Sequence, residues 1–262
     1  MYIDSHCHIN FPDLAARLPE IFGKMTENAV THALCVSVNL PEFPSVLAVA
    51  EQYPHVFASV GVHPDYEETP EPSVEQLVTL ANHPKVIAIG ETGLDYYRLT
   101  GDLTWQRERF RVHIRAARAT GKPLIIHTRS ASADTIRIMQ EEGAGTDAGG
   151  PGGVMHCFTE SQEVADAAMA MGFFISFSGI VTFKSARDLQ AVARAVPLSH
   201  MLIETDAPYL APVPHRGRTN EPGLVRHVAE FIAQLRGVPV EQIAEATTAN
   251  FFRLFDTAKA SS

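Results

Sequence analysis

The chain has 262 residues, 45% of them hydrophobic and 19% charged, and a formal net charge of −9. That is enough apolar material for a sizeable core and too balanced a composition for a disordered or fibrous chain. An acidic chain lacks the basic surface that coats long nucleic acid, so any contact with nucleic acid has to be local.

Short β-rich runs recur in chain order: YIDSH (2–6), ALCVSV (33–38), VFASVGV (56–62), VIAIGE (86–91), PLIIH (123–127), GVMHCF (153–158), FFISFS (173–178) and MLIETD (201–206). Helix-like segments lie between them. In 105–120, Phe110, Ile114 and Ala117 follow a helical period and Gly121 supplies a stop; 161–172 and 241–255 also read as helices. The glycine-rich stretch 141–153 reads as a flexible loop before the sixth run. Strands alternating with helices at this spacing predict parallel βαβ units. The length favours a closed (β/α)8 barrel forming one domain over 1–262, with an open doubly wound sheet as the alternative.

Three cysteines, Cys7, Cys35 and Cys157, are too few and too odd in number for a disulfide framework and suit a reducing compartment. No signal peptide and no run of about 18 apolar residues is visible. The expectation is a cytoplasmic protein without a membrane partner, monomeric by default.

In such a barrel, active sites lie at the C-terminal ends of the strands. The first run ends in His6 and His8, and the third runs out to His63. The fourth ends in Glu91, the fifth in His127, the sixth in His156 and the eighth in Asp206. Such a convergence is costly without a cation, and neutral imidazoles and carboxylates are what divalent metals accept. Four histidines, Glu91 and Asp206 suit two ions, with Glu91 bridging and Asp206 free to take a proton from water. Ligand types alone do not separate Mg²⁺, Mn²⁺ and Zn²⁺. Two residues behind His6 and Asp206, Asp4 and Glu204 should point inward beneath the ligands and orient imidazoles or water.

The motifs DSHCH (4–8), GVHP (61–64), GETGLDYY (90–97), HTR (127–129), HCF (156–158), SFSGIVTF (176–183) and ETDAPYLAPVPHRGRTNEP (204–222) resemble, in order, those of the TatD family of metal-dependent deoxyribonucleases, in its YcfH-like branch. The resemblance implies a metal-dependent hydrolase barrel, a two-metal centre and hydrolysis of DNA phosphodiesters, often from the 3′ end. It assigns His6, His8, His127 and His156 as histidine ligands, Glu91 as the bridging acid, Asp206 as the acid of the eighth strand, and His63 as a residue near the substrate phosphate. One departure follows HCF, where the family commonly has Ser or Thr and then Gly; here Glu160 takes the Gly position, and this change, with the long glycine-rich loop 141–153 before it, bears on substrate access.

A phosphodiester needs cations beyond the metals. Arg129, Lys184, His215, Arg216 and Arg218 follow the fifth, seventh and eighth strands and should form a local positive collar for a terminal phosphate. Tyr96, Tyr97 and Tyr209 can offer stacking faces to an unpaired base, and Asn220 and Pro222 should shape the last loop. The arginines of 107–118 read as a solvated helix face. Cys7 and Cys157 each adjoin a ligand histidine and should face away from it. His32, His55, His83, His113, His200 and His227 have no metal role in this reading.

The leading expectation is a two-metal deoxyribonuclease acting on single strands or 3′ ends, with catalytic residues Asp206, Glu91 and His63. The alternative is a two-metal hydrolase of an ester, amide or aminoacyl-tRNA bond, since the same chemistry serves carbonyl carbon.

Overall fold

The structure, a computed structural model, describes residues 1–261. Eight parallel strands run in sequence order in one sheet. They are β1 (Tyr2–Cys7), β2 (Val30–Cys35), β3 (Val56–Val60), β4 (Val86–Asp95), β5 (Leu124–Arg129), β6 (Gly153–Met155), β7 (Phe173–Phe177) and β8 (Met201–Ile203). Backbone hydrogen bonds from Asp206 to the His6 carbonyl (2.9 Å) and from His8 to the Ala207 carbonyl (2.8 Å) close β8 onto β1. The expected barrel is therefore present. Each predicted run overlaps a strand, though β2 begins three residues before its run, β6 and β8 stop short of their histidine and acid, and β4 runs on to Asp95.

Helices follow the strands: α1 (Pro12–Ala15), α2 (Leu18–Glu27), α3 (Phe43–Gln52), α4 (Val74–Ala81), α5 (Thr104–Thr120), α6 (Ser132–Glu141), α7 (Gln162–Ala170), α8 (Arg187–Ala195), α9 (Val225–Arg236) and α10 (Val240–Leu254). The three predicted helical segments correspond to α5, α7 and α10. Inside the barrel, one apolar residue from each strand builds a layer: Ile3, Leu34, Phe57, Ile87, Ile125, Val154, Phe174 and Leu202, packed with Phe251 and Phe255 from α10 and the residue that follows it. This closes the interior opposite the rim that carries the histidines. The remaining apolar residues pack the helices onto the outside of the sheet. No described helix is long and apolar enough to cross a membrane.

Two sequence expectations change here. The stretch 141–153 is folded back: its Thr146 amide donates to the Met171 carbonyl and its Gly152 amide to the Ala144 carbonyl. Because it precedes β6, it lies at the N-terminal ends of the strands, away from the rim, and has no bearing on substrate access. The α5 arginines are not simply a solvated face. Arg109 is buried, bonded to both oxygens of Glu71 and to the carbonyls of His63 and Tyr66. Arg111 and Arg115 pair with Glu142.

Candidate metal centre

Glu91, near the end of β4, is buried between two groups of imidazoles. Its Oε2 lies 3.3 Å from His6 Nε2 and 3.9 Å from His8 Nε2. Its Oε1 lies 3.2 Å from His63 Nε2, 3.3 Å from His127 Nδ1 and 2.8 Å from His156 Nε2. Asp206 closes the first group, with Oδ1 3.7 Å from His6 Nε2 and 3.4 Å from His8 Nε2. The strands that deliver these side chains must approach closely. A side chain at Gly93 would place its Cβ 1.9 Å from the His127 carbonyl oxygen, and Gly93 has φ +134°, a conformation that favours glycine. Just past β6 and β8, Cys157 (φ 42°) and Asp206 (φ 57°) take positive φ without being glycine, local strain of the kind stored at functional sites.

Most of the rings are held from behind. His8 Nδ1 donates to the Val36 carbonyl at 3.0 Å, and His156 Nδ1 lies 3.2 Å from Glu204 Oε1. His127 Nε2 lies 3.1 Å from Asp95 Oδ2, and His63 Nδ1 contacts Asp65, which Arg98 holds from the other side. Each contact turns the other ring nitrogen toward Glu91 or Asp206. The ring of His6 stacks on that of His156, with centroids 3.9 Å apart.

The charges follow this geometry. Burial opposes ionisation of Glu91, but the imidazoles of His156 and His63 outweigh it and hold its carboxyl well below the usual range. Burial likewise opposes a charge on His63, and Glu91 and Asp65 overcome it, raising its pKa to about 9. Asp95 is lowered to about 2 against its burial, by His127 and the amides of Arg98 and Tyr97.

These residues fit divalent ions. Three groups have ligand atoms close enough to share one: His6, His8 and Glu91; His63, Glu91 and His127; and His6, His156 and Asp206. The buried His6 Nδ1 and Glu204 Oε2 have no hydrogen-bond partner, and His156 Nε2, although 2.8 Å from Glu91 Oε1, makes no well-aligned hydrogen bond, which is costly unless something else satisfies them. Imidazole nitrogens and carboxylate oxygens at 3.2–3.4 Å from one another match ligands around an ion with bonds of about 2.0–2.2 Å. His63, expected on the substrate side, thus also lies within reach of an ion.

A cavity of about 450 Å³ opens onto the cluster; its lining includes His8, Phe11, His63, Arg98, Arg129, Cys157, Thr159, Ile180, Asp206, Tyr209 and Leu210. Of the predicted substrate residues, His63, Arg129 and Tyr209 line it. Tyr96 does not: its hydroxyl donates to Asp134 at 2.6 Å, which turns it toward α6. Lys184 and Arg216 also lie outside the lining; the Arg216 guanidinium rests on the Phe183 ring instead. Glu160 accepts from the Ser132 hydroxyl and does not line the cavity. Cys157, expected to face away, lines it.

Asp4 also departs from expectation. Its carboxylate accepts from the amide and hydroxyl of Thr205 and from the backbone amide of His6, and from no imidazole ring. β1 and β2 shift register between Asp4 and Cys7, so two-residue spacing no longer places Asp4 on the face of His6. Glu204, by contrast, does reach His156. The sequence reading missed Asp95, Asp65 and Arg98. Asp95 was within its reach, since it shares the parity of Glu91 along β4.

A parallel eight-stranded barrel with imidazoles and carboxylates gathered at the C-terminal ends of its strands has the build of a metal-dependent hydrolase. The chain belongs to the TatD-related DNase family, whose model matches residues 3–256. It is 46% identical over 256 residues to the uncharacterized metal-dependent hydrolase YcfH of Escherichia coli (strain K12), covering 97% of this chain and 95% of that one. The 3′-5′ ssDNA/RNA exonuclease TatD of Escherichia fergusonii is 33% identical over 248 residues, covering 89% of this chain and 94% of its own. Among solved structures, the TatD homolog YJJV from Escherichia coli K12 matches with a TM-score of 0.89 and 28% identity, covering 97% of this chain and 98% of that chain.

Proposed function

We propose that this protein is a two-metal phosphodiesterase that removes nucleotides from the 3′ ends of single-stranded DNA. The observation that carries this reading is the division of Glu91, one oxygen toward His6 and His8 and the other toward His63, His127 and His156. His6, His8 and Asp206 would hold one divalent ion, His127 and His156 the other, with Glu91 shared between them. When bound, Mg²⁺, Mn²⁺ or Zn²⁺ activates water and neutralises charge on the phosphodiester.

The chain's own residues supply the rest. Asp206 takes the proton of the attacking water, since its carboxylate borders both the cavity and the cluster, and returns it to the 3′ oxygen of the preceding sugar as the P–O bond to that oxygen breaks. His63 offers its Nε2 proton to a phosphate oxygen, with Asp65 fixing its ring from behind. Arg129 binds the same phosphate from the cavity wall. Phe11, which lines the cavity and stacks on His8, gives the terminal base an aromatic wall. The exonuclease named among the relatives supports DNA over carbonyl substrates, and the free thiols suit the cytoplasm.

The test is digestion of a single-stranded DNA labelled at its 5′ end. Metal-stripped protein is supplied with Mg²⁺, Mn²⁺ or Zn²⁺ in turn, with Glu91→Gln as control. A ladder shortening from the 3′ end, dependent on the ion and lost in the variant, is expected. Metal-bound protein that cleaves no DNA but hydrolyses aminoacyl or lactone esters would overturn the reading.

A further inference from the structure

Two arginines at the rim share an arrangement. The guanidinium of Arg129 lies over the ring of Tyr97, 3.9 Å from its centroid, and that of Arg216 lies over Phe183 at 3.6 Å. Among the described residues neither forms an ion pair with a carboxylate, whereas Arg98, Arg109 and Arg111 all do. A guanidinium seated over a ring, with its donors uncommitted, is positioned for a phosphate.

Arg129 lines the cavity and Arg216 lies beyond it. The path between them follows the loops after β7 and β8. Ile180 and Leu210 of these loops line the cavity, and Phe183 and Arg216 lie three and six residues further along the same loops, outside the lining. The loops are locked together. The Val213 amide donates to the Thr182 hydroxyl at 2.9 Å, and a Cβ at Gly179 would meet the Leu210 carbonyl oxygen at 2.0 Å. Tyr209, beside Leu210, is 55% exposed although it lines the cavity, and its ring meets Phe11 edge-on at 6.4 Å. On this side the cavity therefore opens onto an exposed aromatic ring, with an unpaired guanidinium on the same loop.

We infer that Arg216, seated on Phe183, is a second phosphate subsite outside the cavity, with Tyr209 as the platform for the adjoining base. The substrate is then a single-stranded oligonucleotide gripped at two phosphates, one in the cavity and one outside it. This rests on the phosphodiesterase reading above and adds the length of strand the protein engages.

The test compares dTpdT, which has only the reacting phosphodiester, with dTpdTpdT, which has a neighbouring one, using metal-loaded protein. In the unaltered protein, KM should fall about tenfold on adding the second phosphate. Arg216→Ala should erase that step, and Arg216→Lys should restore part of it. On longer single strands, Arg216→Ala should reduce the salt dependence of log(kcat/KM) by about 0.7. Tyr209→Ala should raise KM on the trinucleotide, and Tyr209→Phe should not. A step that survives in Arg216→Ala, or is missing from the unaltered protein, overturns the subsite. Protein that hydrolyses bis(p-nitrophenyl) phosphate but neither oligonucleotide overturns the DNA reading, and the subsite falls with it.

Discussion

Asp95 Oδ2 lies 3.1 Å from His127 Nε2, and this turns the opposite nitrogen, Nδ1, to within 3.3 Å of Glu91. The other imidazoles around Glu91 present Nε2 instead. His127 is thus mounted in the opposite sense, and Asp95 fixes that choice by accepting the Nε2 proton.

Asp95→Asn should therefore weaken metal binding roughly 10- to 100-fold while the barrel stays folded. An asparagine oxygen can still accept the amides of Tyr97 and Arg98 that Asp95 accepts now. Competitive titration of metal-free protein with Zn²⁺ against a chromogenic chelator measures the affinity. An unchanged affinity would refute the role given to Asp95.

Glu91→Gln should remove at least one ion. An amide presents one oxygen where the carboxylate presents two, so it cannot serve both groups of imidazoles. Metal content should fall from about two ions per chain to one or fewer, with turnover reduced at least about a thousandfold. Elemental analysis after gel filtration decides it; a variant that retains two ions would show that Glu91 does not bridge.

Asp4 and Glu204 should separate cleanly. Asp4→Ala leaves the amide and hydroxyl of Thr205 without their acceptor, costing about 3 kcal/mol of stability. Metal content should not change. Glu204→Gln should do the reverse, keeping Tm nearly constant while lowering metal affinity through His156. Thermal melts and metal analysis on both variants check the pattern, and metal loss in Asp4→Ala would return Asp4 to the centre.

His113 should make the protein sensitive to acid. It is buried in α5, its Nε2 accepts the Val62 amide at 3.0 Å, and its Nδ1 faces the Arg109 carbonyl. Burial is the main cause of its lowered pKa, about 4. The unfolded chain, with an ordinary histidine pKa near 6.5, then binds the extra proton first as pH falls. This contribution to stability is present above about pH 6.5 and is lost on descending to about pH 4, amounting to about 3 kcal/mol. Urea unfolding of metal-free protein at several pH values measures the slope. His113→Gln, which keeps an acceptor for Val62, should flatten it over that window.

The barrel was legible because parallel strands buried on both faces leave continuous apolar runs at regular spacing. The histidines and acids were legible because they stand at the ends of those runs. Asp95 could have been found by extending the parity of Glu91 two steps along β4, but the run VIAIGE ends at Glu91 and the strand does not. Asp65 lies in a loop, where no periodicity aims a side chain. Arg109 hid within an arginine-rich stripe, although it adjoins Phe110 and lies four residues before His113, both on the buried face of α5. Asp4 failed for the opposite reason: strict alternation was assumed across a register shift that the sequence does not announce. The collar failed in part because side chains on the β7 and β8 loops follow the shape of their loops and not the direction of a strand.

The closure of β8 onto β1 has a consequence for how the protein is made. Asp206 donates its amide to the His6 carbonyl, and Thr205 binds Asp4 across a sequence separation of 201 residues. At translation rates of about 5–20 residues per second, roughly 10–40 s separate the emergence of the two partners. Until then the edge of β1 that receives β8 has no partner, and His6 and His8 lack Asp206. A nascent chain lacks Asp206 beside His6 and His8, so the cluster, and with it the chemistry proposed for it, waits on the arrival of β8.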